Sequence, residues 1–129
     1  MSFTELGVSK EITKGLNELG IFTPTKIQAA AIPVLSRENI DFIGQAQTGT
    51  GKTAAFGLPI LSKIDSKKEY IQALILAPTR ELGQQIAKQL FKFTKAPERV
   101  HTEALYGEEK IDIQITLLKR TIQLVVATQ

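Results

Sequence analysis

The chain has 129 residues, 43% hydrophobic and 22% charged, and 16 Lys and Arg against 13 Asp and Glu give it a formal net charge of +3. That is the composition of one soluble globular domain, able to bury roughly two thirds of the surface its unfolded form exposes. With no cysteine and a single histidine, His101, disulfide frameworks, zinc ribbons, iron–sulfur sites and thiol nucleophiles are excluded, and a histidine-built metal site all but excluded.

The longest apolar stretches, Ala29 to Leu35 and Ala73 to Pro78, fall far short of the roughly 18 residues of a membrane span. The N-terminus lacks a basic-then-apolar leader. No membrane partner is therefore expected, and the default location is the cytoplasm. The mild positive charge permits nucleic acid as a partner but suits an ordinary solvated surface equally well.

In chain order, Ile12, Leu16 and Leu19 form a helical stripe that Gly20 stops. Thr23 as N-cap with Pro24 at the first helical position predicts a second helix carrying Ile27, Ala31 and Leu35, because a proline there surrenders an N–H that no intrahelical partner would use. Pro33 is a point of bending or ending. Asp41 to Ala46 is short, partly apolar and followed by a Gly-rich turn, so it reads as a strand running into a loop. Lys52 opens a helix, and Lys63 to Glu69 is a polar loop.

Ile71 to Ala77 is an apolar run of strand length, expected to be buried on both faces of a parallel sheet. Thr79 caps a helix whose stripe is Leu82, Ile86, Leu90 and Phe93, ended by Ala96 and Pro97. Val100 to Tyr106 reads as a further strand. Ile111 to Ile122 fits both periods: Ile111, Ile115, Leu118 and Ile122 as a helix, Ile111, Ile113, Ile115 and Leu117 as a strand. The β–α rhythm favours the helix, with Leu124 to Ala127 as the next strand. The alternation defines an α/β domain, a parallel sheet flanked by helices, with ligands expected at the carboxyl ends of the strands.

Ala46-Gln47-Thr48-Gly49-Thr50-Gly51-Lys52-Thr53 matches the Walker A pattern G-x-x-x-x-G-K-[ST], with Ala46 in place of the first glycine. Gly49 and Gly51 let successive N–H groups converge on a phosphate, and the helix opening at Lys52 adds the positive end of its dipole. Lys52 would reach the β and γ phosphates, and the Thr53 hydroxyl would hold magnesium. The plainer alternative is a Gly-Thr turn entering a helix whose Lys52 is merely solvated.

Together these residues resemble the DEAD-box RNA helicases of helicase superfamily two. Gly20-Ile21-Phe22-Thr23-Pro24-Thr25-Lys26-Ile27-Gln28 is similar to the family's Q motif, with Phe3 standing as its isolated upstream aromatic. Unaided, Gln28 is a polar residue on an apolar helix. The resemblance implies that its amide pairs with the adenine edge and selects ATP over GTP. It further implies a partial RecA-like P-loop lobe that uses ATP and Mg2+, with Phe3, Phe22 and Thr25 joining Gln28 and residues 46–53 around the nucleotide. The family usually has Phe or Tyr where this chain has Ile21.

Ala77-Pro78-Thr79-Arg80-Glu81-Leu82 is similar to motif Ia, implying that Pro78, Thr79 and Arg80 contact the RNA backbone, although alone they read as a helix cap and a solvated charge. Gly107 stands at the Gly-Gly motif, where Glu108 replaces the second glycine and would repel an RNA phosphate. Leu124 to Thr128 resembles the strand into motif Ib, implying that Thr128 also lies on the RNA path.

The implied organisation is a Q-motif helical region over residues 1–37 and a RecA-like P-loop core over 38–129 that stops before the family's acidic box. No Asp-Glu-x-Asp string occurs in the sequence, and the second helicase lobe would lie beyond it. The chain is therefore expected to bind ATP without turning it over, and its sheet to expose an unpaired edge or an apolar face. The alternatives are a P-loop ATP-binding module without motor activity and a related DNA helicase.

Overall fold

A computed structural model of the chain describes residues 1–37, 39–95, 97–107, 111–118 and 121–128. The chain divides into two compact units, Met1–Lys63 and Ile64–Gln129.

The first unit is helical: α1 spans Lys10–Glu18, α2 Lys26–Arg37 and α3 Lys52–Lys63. The Ser9 side chain caps α1 by accepting from the Ile12 N–H at 3.3 Å. Ile12 and Leu16 are buried as the stripe predicts, whereas Leu19 stands at the helix C-cap and is exposed. Gly20 follows with φ +79°, the left-handed turn that ends helices with glycine. Ahead of α1, Phe3, Leu6 and Val8 are buried in a turn closed by N–H groups of Leu6 and Val8 donating to the Phe3 carbonyl at 3.1 Å each.

The start of α2 differs from expectation. Its cap is Thr25, not Thr23, because Thr25 and Gln28 satisfy each other: the Thr25 N–H donates to Gln28 Oε1 at 3.0 Å and the Gln28 N–H to Thr25 Oγ1 at 3.5 Å. This reciprocal capping box fills two donors that a helix start otherwise leaves open, so Pro24 lies outside the helix. The helix continues through Pro33 to Arg37 and packs against α3. Asp41 to Ala46 forms no strand: it joins no ladder among the described residues, and Phe42 and Ile43 are exposed. A strand is made by a partner backbone, and local apolar pattern cannot supply one.

The second unit alternates β1 (Ala73–Leu76), α4 (Arg80–Phe93), β2 (Thr102–Leu105), α5 (Ile111–Leu118) and β3 (Leu124–Ala127). The three strands form a parallel sheet in the order β1-β3-β2. Central β3 is the most buried, with Leu124, Val125 and Val126 in the core, and α4 packs on β2 and β3 through Gly83, Ile86, Leu90 and Phe93. Leu82, counted in the predicted stripe, is partly exposed. The segment that fits both periods is helical over Ile111–Leu118.

β1 corrects a second expectation. Ile75 is buried, but Leu74 is 61% and Leu76 73% exposed, so this edge strand is covered on one face only. At the opposite end of the strands, Gln123 is fully buried and acts as a clamp. Its Oε1 accepts from the His101 N–H at 2.8 Å, and its Nε2 donates to the carbonyls of Ser66 and Lys68, each at 3.3 Å. The buried Gln123 amide thereby finds its own partners and ties the start of β3 to the residue before β2 and to the loop after α3.

Candidate functional site

The residues expected around a nucleotide fall in the first unit, and those expected along RNA fall in the second.

In the first unit the P-loop turns at Thr48 and Gly49 and enters α3 at Lys52. Gly49 and Gly51 both have φ +85°, a region costing a side-chain-bearing residue roughly 1–2 kcal/mol. The Thr50 hydroxyl donates to the Gln47 carbonyl at 2.5 Å, pinning the loop across its turn. Gln47, Thr48, Gly49 and Lys52 are exposed, while Ala46, Thr50, Gly51 and Thr53 are half-buried. Accessible backbone N–H groups thus lie beside an exposed ammonium group and a first-turn hydroxyl, a donor set that fits an anion and its counter-cation.

Gln28 joins this loop from α2. Only 5% exposed, it donates through Nε2 to the Gly51 carbonyl at 3.1 Å while Oε1 holds the Thr25 N–H. An amide offers two donors and two acceptor lone pairs, so these bonds leave one of each. A Cβ on Gly51 would collide with Gln28 Nε2 and come within 3.2 Å of Thr25 Oγ1. Gly51 is therefore required twice, by its backbone conformation and by the closeness of Gln28. Of the aromatics, Phe22 is 65% exposed on the same motif, whereas Phe3 is 1% exposed and lies in the core, where its ring cannot stack on a ligand.

In the second unit the parallel register aligns the strand ends, Leu76 with Ala127 and Ala127 with Leu105. Two hydrogen bonds carry the alignment past them, Ala77 N–H to the Ala127 carbonyl at 2.9 Å and Thr128 N–H to the Leu105 carbonyl at 3.1 Å. Pro78, Thr79, Arg80, Gly107 and Thr128 consequently share the carboxyl end of the sheet. Thr79 caps α4, its Oγ1 accepting from the Leu82 N–H at 3.2 Å. Exposed Pro78, Thr79 and Arg80 thus surround a helix N-terminus, a favourable place for a phosphate. Glu108 lies outside the described residues.

Sequence reasoning missed two residues here. Gly83 lets α4 approach β3, since a Cβ there would stand 3.4 Å from Thr128 Cγ2 and 3.8 Å from Val126 Cγ1. A glycine inside a strongly periodic helix was its signal. Tyr106 lies under the Arg80 guanidinium, 4.6 Å from ring centroid to Cζ, and its carbonyl accepts from Gln114 Nε2 of α5 at 2.6 Å. Only the register of β2 reveals that contact.

Comparison with known proteins places this arrangement. Residues 25–129 match the DEAD/DEAH box helicase family model, and the chain belongs to that family. It is 48% identical over 127 residues to the DEAD-box ATP-dependent RNA helicase CshA of Geobacillus kaustophilus, covering 98% of this chain and 27% of that protein. It is 49% identical over 126 residues to the ATP-dependent RNA helicase CshA of Listeria monocytogenes, covering 98% of this chain and 24% of that protein. The chain thus spans about a quarter of the length of these relatives.

Among solved structures, a DEAD box protein from Methanococcus jannaschii superposes with a TM-score of 0.91 at 34% identity, over 99% of this chain and 34% of that one. Yeast Dbp5 bound to RNA and ADP BeF3 gives a TM-score of 0.85 at 32% identity, over 98% of this chain and 32% of that one. The fold is accordingly that of a partial RecA-like lobe, a parallel sheet flanked by helices. Among the described residues, no helix is long and apolar enough to cross a membrane.

Proposed function

We propose that the chain is the ATP-binding portion of a cytoplasmic ATP-dependent RNA helicase that unwinds or remodels short RNA duplexes. The observation carrying this reading is the bond from Gln28 to Gly51, which ties the base-reading motif to the phosphate-reading loop. In this reading residues 1–37 recognise the base. The remaining Gln28 donor and acceptor pair with the adenine edge, Phe22 and Thr25 flank it, and buried Phe3 supports the motif without touching the nucleotide.

Residues 38–129 provide the phosphate and RNA contacts. The N–H groups of residues 46–51 cradle phosphate oxygens, and Lys52 adds charge at the β and γ phosphates. The Thr53 hydroxyl is placed to hold Mg2+, which when bound neutralises phosphate charge. Pro78, Thr79, Arg80, Gly107 and Thr128 line an RNA path whose contacts are to phosphate and sugar, hence independent of base sequence. The bound state of yeast Dbp5, with RNA and ADP BeF3 together, is consistent with this pairing of ligands. Without an Asp-Glu-x-Asp string, the chain by itself binds ATP and does not hydrolyse it, and duplex separation belongs to a two-lobed helicase.

The test is a titration with a fluorescent adenine nucleotide, competed with ATP, ADP and GTP. Adenine nucleotides should compete well and GTP poorly. Lys52→Ala should abolish binding and Gln28→Ala should erase the base preference. Equal competition by GTP in the unaltered chain would overturn the assignment of Gln28.

A further inference from the structure

We propose that the free edge of β1 pairs antiparallel with β1 of a second copy of this chain, about a twofold axis at Ile75, forming a weak dimer. The inference is independent of the nucleotide and RNA readings above.

The backbone supplies the first half of the contact. β1 lies at one edge of the sheet. The N–H groups of Ala73 and Ala77 donate to the carbonyls of Gln123 and Ala127, at 3.3 and 2.9 Å, so the odd-numbered residues turn to β3, while Leu74 and Leu76 turn their N–H and C=O groups outward. Among the described residues, no hydrogen bond reaches these groups. The side chains supply the second half. A Cβ on Gly83 of α4 would stand 3.7 Å from Ala77 Cβ, so Ile75 and Ala77 face α4 and Leu74 and Leu76 face away from it, where they are largely exposed.

These two leucines are self-complementary. An antiparallel pairing centred on Ile75 sets Leu74 of each copy opposite Leu76 of the other, and each such pair exchanges two backbone hydrogen bonds. Because the twofold axis is perpendicular to the sheet, the leucines of both copies gather on one face. The joined sheet runs β2-β3-β1-β1-β3-β2.

Natural edge strands are guarded by charged side chains, bulges or proline, yet Tyr70 to Thr79 contains no charged residue. A second copy therefore brings no like charge to this edge and offers the same apolar surface in a register that satisfies both copies at once. Pro78 lacks an N–H and ends the ladder. The 4 residues of β1 bury far less than the roughly 800 Å² per partner of a standard interface, so the dimer forms at high concentration and dissociates on dilution.

The test is sedimentation velocity of the intact chain over a concentration series, with amide hydrogen exchange followed by NMR. The sedimentation coefficient should rise from that of a monomer to that of a dimer, with a Kd between about 1 μM and 1 mM, and exchange at the Leu74 and Leu76 amides should slow in step. Leu74→Lys and Leu76→Glu, each alone, should weaken association at least about tenfold, because each acts twice in a symmetric pair. Thermal melts confirm their folding. Mixed together, the two variants should restore association, since the introduced charges then stand directly opposite each other and the remaining leucines still meet. A mixture of Leu74→Lys with Leu74→Glu, whose charges stand two positions apart, should not restore it.

The proposal is overturned if the chain stays monomeric at every concentration with Leu74 and Leu76 exchanging freely, which would leave this edge to a strand of different sequence. It is equally overturned if association survives either substitution undiminished, or if the Leu74→Lys and Leu76→Glu mixture fails to restore it, because the copies then meet through another surface.

Discussion

Gln28 donates its side-chain N–H to the Gly51 carbonyl at 3.1 Å, across 23 positions of sequence, and that carbonyl also accepts the Ala55 N–H of α3 at 3.2 Å. One oxygen therefore joins the capping box of α2, the phosphate loop and the first turn of α3. Any ligand that moves Gln28 must alter the loop, and a change in the loop must alter Gln28.

Gly51→Ala and Gly49→Ala separate conformation from crowding. Both glycines have φ +85°, but a Cβ at Gly49 meets nothing within 4 Å, whereas at Gly51 it collides with the Gln28 amide. Urea denaturation should give a loss of about 1–2 kcal/mol for Gly49→Ala from backbone strain alone, and at least about 1 kcal/mol more for Gly51→Ala. Equal losses would show that Gln28 yields to the methyl group freely.

Gln28→Glu and Gln28→Ala act differently on the same junction. Glutamate can still accept from the Thr25 N–H, as in many capping boxes, but an ionised carboxylate cannot donate to Gly51 and sets negative charge against its carbonyl. At neutral pH Gln28→Glu should cost about 1–3 kcal/mol and weaken nucleotide binding. Gln28→Ala should lose base discrimination while retaining phosphate affinity. Competition titrations with ATP and GTP, alongside urea melts, read both effects.

Gln123→Leu tests the clamp at the far end of the strands. Leucine is apolar and broadly similar in size, and it leaves the His101 N–H and the carbonyls of Ser66 and Lys68 without their partner. A loss of about 2–4 kcal/mol is expected, with faster hydrogen exchange at the His101 amide. Unchanged protection of that amide would mean that water replaces the glutamine.

Leu74→Thr with Leu76→Thr addresses the uncovered face of β1. Both leucines are largely exposed, so replacing them should change monomer stability by no more than about 0.5 kcal/mol. The replacement should also reduce any concentration-dependent association seen by sedimentation, because an apolar edge strand is a template for pairing with another chain.

Much of this protein was legible in its sequence, and the legible parts are local. The Walker A string needs only neighbouring residues, as does a cap such as Thr79 with the Leu82 N–H. The stripe of α4 and the apolar run of β3 read correctly because a helix face and a fully buried strand each impose a period or a run on the sequence itself. The α/β alternation followed from those pieces.

What tertiary structure decided lies where two distant segments meet. The expected cap of α2, Thr23, gives way to Thr25, where the Gln28 side chain, itself bound to the distant Gly51 carbonyl, accepts the Thr25 N–H. Asp41 to Ala46 has the composition of a strand, yet joins no ladder among the described residues, and pairing is a property of two backbones. The edge position of β1 leaves Leu74 and Leu76 bare although they are as apolar as the core of β3. The contact of Arg80 with Tyr106 exists because a parallel register sets the end of β2 beside the start of α4. Sequence determines which groups can bond, cap or bury. The long-range packing decides which partner each one meets, because only the folded chain brings residues 23 or 26 positions apart within reach of a hydrogen bond or a ring face.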